Sequence, residues 1–467
     1  MAARETEGVT ALAIGGVASA LVAVGGYGVG AVPASLADSW LHGSSAGRAL
    51  SYALVLVGVA GLVWCWMRLR GAATATVLRA GAVWAAPLLV SAPLFSRDVF
   101  AYAGQAHLVD VGLDPYTHGP ADAPGALSAE VDDVWGPAPS PYGPVFLRVA
   151  SWLVPGEHVV ASMLLLRALA VLGLVLLAWA VRRLAQDPAR ALWLVVANPL
   201  VLLHGVAGAH NDLLMAGLLT TAVAIAVHVR DSAGRSRDAC LAGAAALVVV
   251  AALIKAPAAL ALVFLPLVVA TARMRAAVVV AGTALVSALA VTAATGLGWG
   301  WLQTLGAGNP RRSLLSVSTG IGVVLANVAG NGAVHVVQTL ALALAAAWVL
   351  WLLYRVAPVD PLRALGLALI AVAVLGPVVQ PWYLLWGLPL VAAVAGARLA
   401  PGLAAGSAVI CLLILPSGRH VIRPPLYGVP ALVTLAAGCA AAVRSSDADP
   451  PATLLSPRAG PDQAPRA

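Results

Sequence analysis

Long apolar runs alternate along most of the chain with short segments that carry nearly all of its charged residues. A membrane-spanning helix needs about 20 apolar residues, and fewer where surrounding protein shelters it. The pattern therefore predicts roughly 12 to 14 transmembrane helices. They are expected near residues 10–33, 49–67, 75–94, 160–181, 191–205, 212–229, 239–254, 258–271, 276–295, 333–354, 364–379, 384–397, 402–416 and 426–443.

Composition excludes a soluble domain. Hydrophobic residues make up 61% of the 467 positions and charged residues only 10%, whereas soluble domains carry about 25% charged residues. The run over residues 9–33 is too long for the apolar core of a signal peptide, so we expect it to be retained as the first span. The fold class expected is an all-α polytopic membrane protein.

Basic residues predict the orientation. In a soluble protein the net charge of +8 would indicate a nucleic-acid partner, but in a membrane protein arginines near span ends mark the cytoplasmic side. A cytoplasmic N-terminus places most of the basic residues inside, at Arg4, Arg68, Arg70, Arg79, Arg182, Arg183, Arg190, Arg230, Arg235, Arg237, Arg273, Arg275, Arg355, Arg363, Arg398, Arg444, Arg458 and Arg466. Residues 1–444 are then one transmembrane domain, and the Pro-rich segment 445–467 is a disordered cytoplasmic tail.

Two large loops are expected on the outer face, at residues 95–159 and 296–332. The first holds eight of the chain's 19 acidic residues. The second contains Arg311 and Arg312, a pair that runs against the orientation rule. Its segment 313–332 is short and glycine-rich, so we expect an outer-face or re-entrant helix.

Asp98 opens the first large loop directly after an apolar span. Helical spacing places Asp98, Tyr102 and Gln105 on one face. A carboxylate at a dry membrane edge suits a general base. The alternative is that Ser96 or Asp98 caps the following helix, and spacing leaves both interpretations open.

A histidine-rich turn is expected in the short outer loop at residues 204–212. His210-Asn211-Asp212 contains a His-x-Asp pattern that can bind a metal, although the signal is weak. Helix capping by Asn211 or Asp212 is the alternative. The four cysteines form no C-x-x-C pair, so no metal site is predicted from them.

Lys255 is the only lysine in the chain and lies beside a proline at the outer end of a predicted span. It faces the same side as Arg311 and Arg312, so these cations are candidates for a lipid phosphate. Simple snorkelling to the membrane surface is the alternative. Arg167, in the outer half of its span, has the same two interpretations.

Trp382 and Tyr383 lie at the outer end of a predicted span, and further aromatic residues lie in the Pro-rich segment 135–144. Such residues either form an interfacial belt or contact a sugar. The chain has no P-loop and no dinucleotide fingerprint. Any group donor is therefore expected to be pre-activated and to arrive on the outer face.

Several short motifs occur in a fixed order between residues 80 and 390. They are Phe95-Ser-Arg-Asp-Val-Phe-Ala-Tyr, Asp114-Pro-Tyr, Ser140-Pro-Tyr-Gly-Pro, Asn198-Pro-Leu, His210-Asn-Asp, Lys255-Ala-Pro and Gln380-Pro-Trp-Tyr. In this order and spacing they resemble the actinobacterial polyprenol-phosphate-mannose-dependent α-1,6-mannosyltransferases, which belong to the GT-C class of membrane glycosyltransferases.

The resemblance implies a GT-C-like bundle with a catalytic first outer loop at the plasma membrane. It implies a β-linked polyprenyl phosphomannose donor at the outer leaflet and a mannan acceptor on a phosphatidylinositol-mannoside-type anchor. The linkage formed is α-1,6 with inversion, as in lipomannan and lipoarabinomannan synthesis. No cofactor is expected beyond the lipid-linked donor, and the metal requirement is left open.

Asp98 matches the catalytic acidic residue of that family. Lys255, Arg311 and Arg312 are then expected to stabilise the leaving phosphate. Five further residues are expected to contact the sugar, the donor headgroup or the base, namely Tyr102, Gln105, His210, Trp382 and Tyr383. A transferase for α-1,2-mannose or arabinofuranose, and a polyprenyl-linked sugar transporter, remain alternatives. The absence of paired sequence repeats and the clustering of acids in one outer loop favour an enzyme over a transporter.

Overall fold

A computed structural model describes residues 2–269, 271–305, 315–411, 413–414 and 416–418. Arg311, Arg312, the predicted span 426–443 and the predicted tail 445–467 lie outside the described residues. Within the described ranges the secondary structure is helical and no β-strand is found.

Six helical segments are long and apolar enough to cross a bilayer. They are Glu7–Val29 within α1 (Ala2–Val29), α3 (Ser45–Arg68), α8 (Val159–Leu184), α10 (Asn211–His228), α13 (Arg273–Thr295) and α16 (Gly332–Arg355). This confirms the predicted all-α polytopic membrane class.

The remaining helices are shorter or more polar. The α-helices are α2 (Trp40–Gly43), α4 (Thr74–Leu89), α5 (Asp98–Asp110), α6 (Ala126–Ala129), α7 (Pro144–Leu153), α9 (Pro188–Val195), α11 (Gly234–Ala252), α12 (Ala261–Val268), α14 (Trp301–Thr304), α15 (Val317–Ala329), α17 (Pro361–Leu375), α18 (Leu388–Ala393) and α19 (Ala400–Ile410). Four 3₁₀ helices span Ala34–Leu36, Pro120–Asp122, Ala256–Leu260 and Pro381–Trp386, and a π-helix spans Val201–Ala207.

Three predicted spans, at 191–205, 258–271 and 384–397, are broken into short helical pieces instead of forming continuous helices. Prolines explain the breaks, because proline removes a backbone donor and disfavours helix in the residue before it. Pro199 follows α9, and Pro257 and Pro381 lie in 3₁₀ turns. The pieces over residues 191–207 and 388–393 are deeply buried, so neighbouring protein shelters backbone that lipid would leave unsatisfied. The total of roughly 12 to 14 spans stays a prediction.

Helices α8 and α10 cross closely at two glycines. A β-carbon on Gly173 would collide with the backbone of Leu213, and one on Gly217 would collide with the backbone of Gly173. Small residues allow such close approach between helices in membranes. The crossing fixes the N-terminal end of α10, where His210 and Asp212 lie, against α8.

Arg167 of α8 connects two helix ends. Its guanidinium donates to the backbone oxygens of Leu89 at 2.7 Å and Ser91 at 2.8 Å, and to that of Ala207 at 3.0 Å. Carbonyls at helix ends lack intrahelical donors, so Arg167 satisfies the ends of α4 and the π-helix together. The residue is only 1% exposed, and neither sequence interpretation of Arg167, snorkelling or phosphate binding, describes this arrangement.

Candidate active site

Asp98 is the first residue of α5, and its carboxylate faces His210. The Oδ2 atom of Asp98 lies 3.7 Å from Nδ1 of His210, and the Asp98 side chain is 22% exposed. The hydroxyl of Ser96 accepts a hydrogen bond from the backbone N–H of Asp98 at 3.0 Å. Of the two capping candidates, Ser96 thus bonds to a backbone N–H at the start of the helix, and the Asp98 carboxylate has solvent access.

The backbone adopts the left-handed region at two residues near the site, three positions before Asp98 and directly before His210. Phe95 has φ of 65° and Ala209 has φ of 54°, values that are uncommon for residues with a β-carbon. Hydrogen bonds hold both turns, from the N–H of Phe95 to Pro416 at 2.9 Å and from the N–H of His210 to Gly205 at 3.1 Å. Such conformations cluster at functional sites, where the surrounding structure over-determines them.

Tyr102 lies one helical turn after Asp98 and reaches the same histidine. Its hydroxyl is 3.2 Å from Nδ1 of His210 and donates a longer hydrogen bond of 3.5 Å to Oδ1 of Asn211. The imidazole of His210 stacks on Trp382 with 3.7 Å between ring centroids. The predicted residues Asp98, Tyr102, His210 and Trp382 therefore lie in one cluster.

The pKa of His210 is well below its ordinary value. Complete burial disfavours the charged imidazolium, and the positive charge of Lys255 and the neighbouring His204 add to the effect. His210 is therefore neutral at physiological pH, with one ring nitrogen as donor and the other as acceptor.

Gln105, which helical spacing places on the same face as Asp98 and Tyr102, forms its hydrogen bond with the Pro-rich segment. Its Oε1 accepts a hydrogen bond of 2.9 Å from the hydroxyl of Ser140, in the Pro-rich segment. The Ser140 hydroxyl in turn accepts from the backbone N–H of Tyr142 at 3.2 Å. The structure places Gln105 in a contact that ties α5 to the Pro-rich segment, and no hydrogen bond from its side chain to Asp98, Tyr102 or His210 occurs among the described residues.

Lys255 forms an ion pair with Asp212 across helices. The ammonium donates to Oδ2 of Asp212 at 2.7 Å, and the indole N–H of Trp386 donates to Oδ1 at 2.6 Å. Asp212 is completely buried, whereas the Lys255 side chain is 13% exposed. The metal and capping interpretations of Asp212 do not describe this pairing, and the described residues contain no cluster of three or more His, Cys, Asp or Glu suited to a metal.

Three aromatic rings surround the Lys255 ammonium. Its Nζ atom lies 4.7 Å from the ring centroid of Tyr383, 5.7 Å from that of Tyr142 and 5.9 Å from that of Trp386. Rings at these distances attract a cation through their negative faces. Tyr383 thus contacts the predicted phosphate-binding lysine directly.

Tyr142 and Tyr383 connect the Asp98 side and the Lys255 side into one site. Burial raises the pKa of both phenols above the ordinary value, and the negative charges of Asp98 and Asp212 raise it further. Tyr142 also packs edge-on against Tyr102 with 5.1 Å between centroids. One aromatic-lined region therefore holds a solvent-reachable carboxylate and an oriented ammonium.

Sequence reasoning missed part of this site. Tyr142 lies in the Ser140-Pro-Tyr-Gly-Pro motif, where aromatics carried only the general alternatives of sugar contact and interfacial belt. Trp386 had no signal, since it lies in a predicted span. Arg311 and Arg312 lie outside the described residues.

Two family models match the chain. The first is described as "Alpha-(1->6)-mannopyranosyltransferase, N-terminal domain" and matches residues 12–273. The second is described as "MptB C-terminal domain" and matches residues 312–445. No solved structure matches the chain.

Two curated relatives of the chain are named as mannopyranosyltransferases. Alpha-(1->6)-mannopyranosyltransferase A of Mycobacterium tuberculosis (strain ATCC 25618 / H37Rv) is 34% identical over 453 residues, which cover 87% of this chain and 84% of the relative. Alpha-(1->6)-mannopyranosyltransferase B of Corynebacterium glutamicum (strain ATCC 13032) is 29% identical over 459 residues, covering 87% and 76%. The chain therefore belongs to the α-(1→6)-mannopyranosyltransferase family and is a multi-pass membrane glycosyltransferase.

Proposed function

We propose that the protein transfers mannose from polyprenyl phosphomannose to a mannan on a phosphatidylinositol-mannoside-type lipid anchor. The new linkage is α-1,6, as in lipomannan and lipoarabinomannan synthesis. The observation that carries the proposal is that Tyr142 joins the two charged groups. Its ring lies 5.7 Å from the Lys255 ammonium and packs edge-on against Tyr102, which shares His210 with the solvent-reachable Asp98. The family membership and the names of the relatives support mannose as the sugar and α-1,6 as the linkage.

Asp98 is the general base in this mechanism. Its carboxylate takes the proton of the acceptor hydroxyl as the hydroxyl oxygen attacks the anomeric carbon of mannose. The bond from that carbon to the phosphate oxygen breaks, and polyprenyl phosphate leaves with the electron pair. Attack from the opposite face converts the β-linked donor into an α-linked product. Neutral His210, 3.7 Å from the carboxylate, orients Asp98 without protonating it.

Lys255 stabilises the phosphate that leaves. A charge-assisted hydrogen bond from an ammonium to a phosphate oxygen is stronger than a neutral one, and the phosphate gains charge as the bond breaks. Arg311 and Arg312 are proposed to add to this stabilisation. No cofactor is required in this scheme, and the metal requirement is not assigned.

Aromatic and polar residues beside these two groups are proposed to hold the sugar. Trp382 and Tyr383 offer ring surfaces, and Tyr102 and His210 offer polar atoms next to Asp98. Gln105 supports the Pro-rich segment that carries Tyr142. We place the site at the outer face of the plasma membrane, on the side opposite the arginine-rich loops.

The test compares Asp98→Asn with Asp110→Asn, which changes an exposed acidic residue at the other end of α5. Membranes that contain each variant are incubated with radiolabelled polyprenyl phosphomannose and a short α-1,6-mannoside. Asp98→Asn is expected to lose transfer by about 10²–10⁴-fold, the contribution of general acid–base catalysis, while Asp110→Asn keeps it. Transfer by Asp98→Asn within a few-fold of wild type overturns the assignment of the base. A product of another linkage on glycosidase digestion overturns the proposed specificity.

A further inference from the structure

We propose that Asp212 is a positioning residue for the donor phosphate, which it serves by fixing the Lys255 ammonium together with the indole N–H of Trp386. The proposal rests on the proposed function, because it takes the phosphate of the lipid donor as the ligand of Lys255. It assigns Asp212 a role different from that of Asp98, the other carboxylate of the site.

Asp212 has the wrong surroundings for a general base. Both carboxylate oxygens accept short hydrogen bonds, one from Lys255 and one from Trp386, and the side chain has no exposed surface. Because the side chain is enclosed, an acceptor hydroxyl has no open path to either oxygen. The Asp98 side chain, by contrast, is 22% exposed.

The ion pair compensates a carboxylate that has no exposed surface. Asp212 is the second residue of α10, a membrane-spanning helix, and a buried charge there is costly unless it is paired. The helix N-terminus contributes a further favourable interaction with a negative side chain. Removal of Lys255 leaves Asp212 as an uncompensated buried charge, and removal of Asp212 leaves Lys255 as an uncompensated, partly buried one.

The ammonium keeps donors for a ligand after it binds Asp212. An ammonium has three N–H groups, and among the described residues Lys255 donates one hydrogen bond, to Asp212. Its other close neighbours are the faces of Tyr142, Tyr383 and Trp386. Aromatic faces attract the charge but do not replace an oxygen acceptor, so a phosphate oxygen can bind the remaining N–H groups.

The three residues come from separate parts of the chain. Asp212 is the second residue of α10, Lys255 precedes the 3₁₀ helix Ala256–Leu260, and Trp386 ends the 3₁₀ helix Pro381–Trp386. Each is held by its own element, so the position of the ammonium depends on all three. A fixed cation stabilises a developing phosphate charge better than a mobile one, because no reorganisation is needed during the reaction.

The first experiment uses Asp212→Asn, Lys255→Met and the double variant, purified in detergent. Polyprenyl phosphate, the leaving product, is the probe, and its inhibition constant is measured together with the KM values of donor and acceptor. All three variants are expected to bind polyprenyl phosphate at least about tenfold more weakly, with the acceptor KM unchanged, since one charge-assisted hydrogen bond is worth about that factor. Asp212→Glu, which keeps the carboxylate, is expected to recover part of the loss.

Thermal unfolding separates positioning from folding. Each single variant leaves one unpaired charge and is expected to unfold at lower temperature, whereas the double variant removes both charges and regains stability. An Asp212→Asn variant that is folded at the assay temperature and still binds the phosphate weakly supports the proposal. A double variant that regains both stability and phosphate binding overturns it, because the pair is then purely structural.

Two further variants sharpen the result. Trp386→Phe keeps a ring beside Lys255 but removes the indole N–H, and it is expected to weaken phosphate binding about threefold to tenfold, the range for one hydrogen bond. Asp238→Asn is the matched control, because it removes a carboxylate that pairs with Arg237 and Arg275 near the other end of α11, and it is expected to leave phosphate binding unchanged.

The outcomes distinguish this proposal from the proposed function. If Lys255→Met uses the donor as well as wild type, the phosphate role of Lys255 is wrong and the positioning role fails with it. If Lys255→Met is impaired but Asp212→Asn is not, only the positioning role of Asp212 is wrong. If wild type transfers no mannose from the lipid donor, the proposed function itself is wrong.

Discussion

At the scale of single residues, two carboxylates lie close to the same tyrosines and have opposite surroundings. Asp98 borders neutral His210 and keeps access to solvent, while Asp212 is enclosed by Lys255 and Trp386. The proposed roles, proton transfer for Asp98 and positioning for Asp212, rest on this difference in access and not on the residue type. Both carboxylates belong to motifs that the sequence displays, but only folding decides which of them is enclosed.

The Asp98 cluster could be predicted from the chain to a large extent. Spacing on α5 and motif resemblance both singled out Asp98 and Tyr102, and His210 was named from its own motif. Lys255 was prominent because it is the only lysine. The pairing of Lys255 with Asp212 and Trp386 could not be predicted, because it joins residues separated by 43 and 174 positions in sequence through the packing of helices.

His210 gives a prediction about pH. Its pKa in the folded protein is well below the ordinary value of about 6.5. Below that pH the unfolded chain binds a proton that the native site does not, so the free energy of unfolding falls as pH falls. His210→Gln removes this contribution, which amounts to about 1 kcal/mol per pH unit below 6.5.

The measurement is the Tm in detergent at pH 7.5 and pH 5.5. We expect the wild type to lose more stability between these values than His210→Gln does, while His158→Gln, at an exposed position, behaves like wild type. An identical loss in wild type and His210→Gln would show that His210 is not held neutral.

At the scale of helices, prolines convert several apolar runs into short buried pieces. These pieces carry site residues at their ends, as with Lys255 before Ala256–Leu260 and Trp382 within Pro381–Trp386. Hydropathy located the runs but could not reveal the breaks, because an apolar run has the same composition whether it is a helix or a buried turn. Side chains at such breaks can enter the protein interior, whereas a continuous helix would present only one of its faces to it.

We predict that Arg167 stabilises the fold by joining the C-terminal ends of α4 and the π-helix. Arg167→Met keeps the length of the side chain but leaves the backbone oxygens of Leu89, Ser91 and Ala207 without their donor. We expect a loss of roughly 3–5 kcal/mol in stability. The measurement is thermal unfolding in detergent, with mannose transfer recorded at a temperature where both proteins are folded.

Arg183→Met on the same helix is the control, since Arg183 is exposed and lies over Trp179. Arg167→Lys is expected to recover only part of the lost stability, because an ammonium cannot reproduce the fork of a guanidinium. Wild-type stability in Arg167→Met would contradict the bridging role.

At the scale of the whole molecule, composition and loop charge predict most of what is found. The described residues expose many large apolar side chains, and α13 and α16 have few buried positions. Such surfaces suit lipid and not water. The arginines in the loops predict an orientation in which the first large loop, with Asp98, lies on the outer face.

Orientation can be tested by cysteine labelling in intact cells. In a background where the four natural cysteines are replaced by alanine, cysteine is introduced at Thr117 in the first large loop or at Ser232 in an arginine-rich loop, both exposed. A membrane-impermeant maleimide is expected to label Thr117→Cys in intact cells and Ser232→Cys only after permeabilisation. The reverse pattern would invert the topology and move the proposed site to the cytoplasmic face.

The 43-residue separation between Asp212 and Lys255 has a consequence for biogenesis. Translation delivers the acid first, so α10 reaches the translocon before its basic partner has left the ribosome. An unpaired aspartate opposes entry into lipid by roughly 2.5–3.5 kcal/mol at the middle of a bilayer. At the end of a span the cost is smaller, and we expect the start of α10 to settle fully only after α11 and Lys255 have emerged.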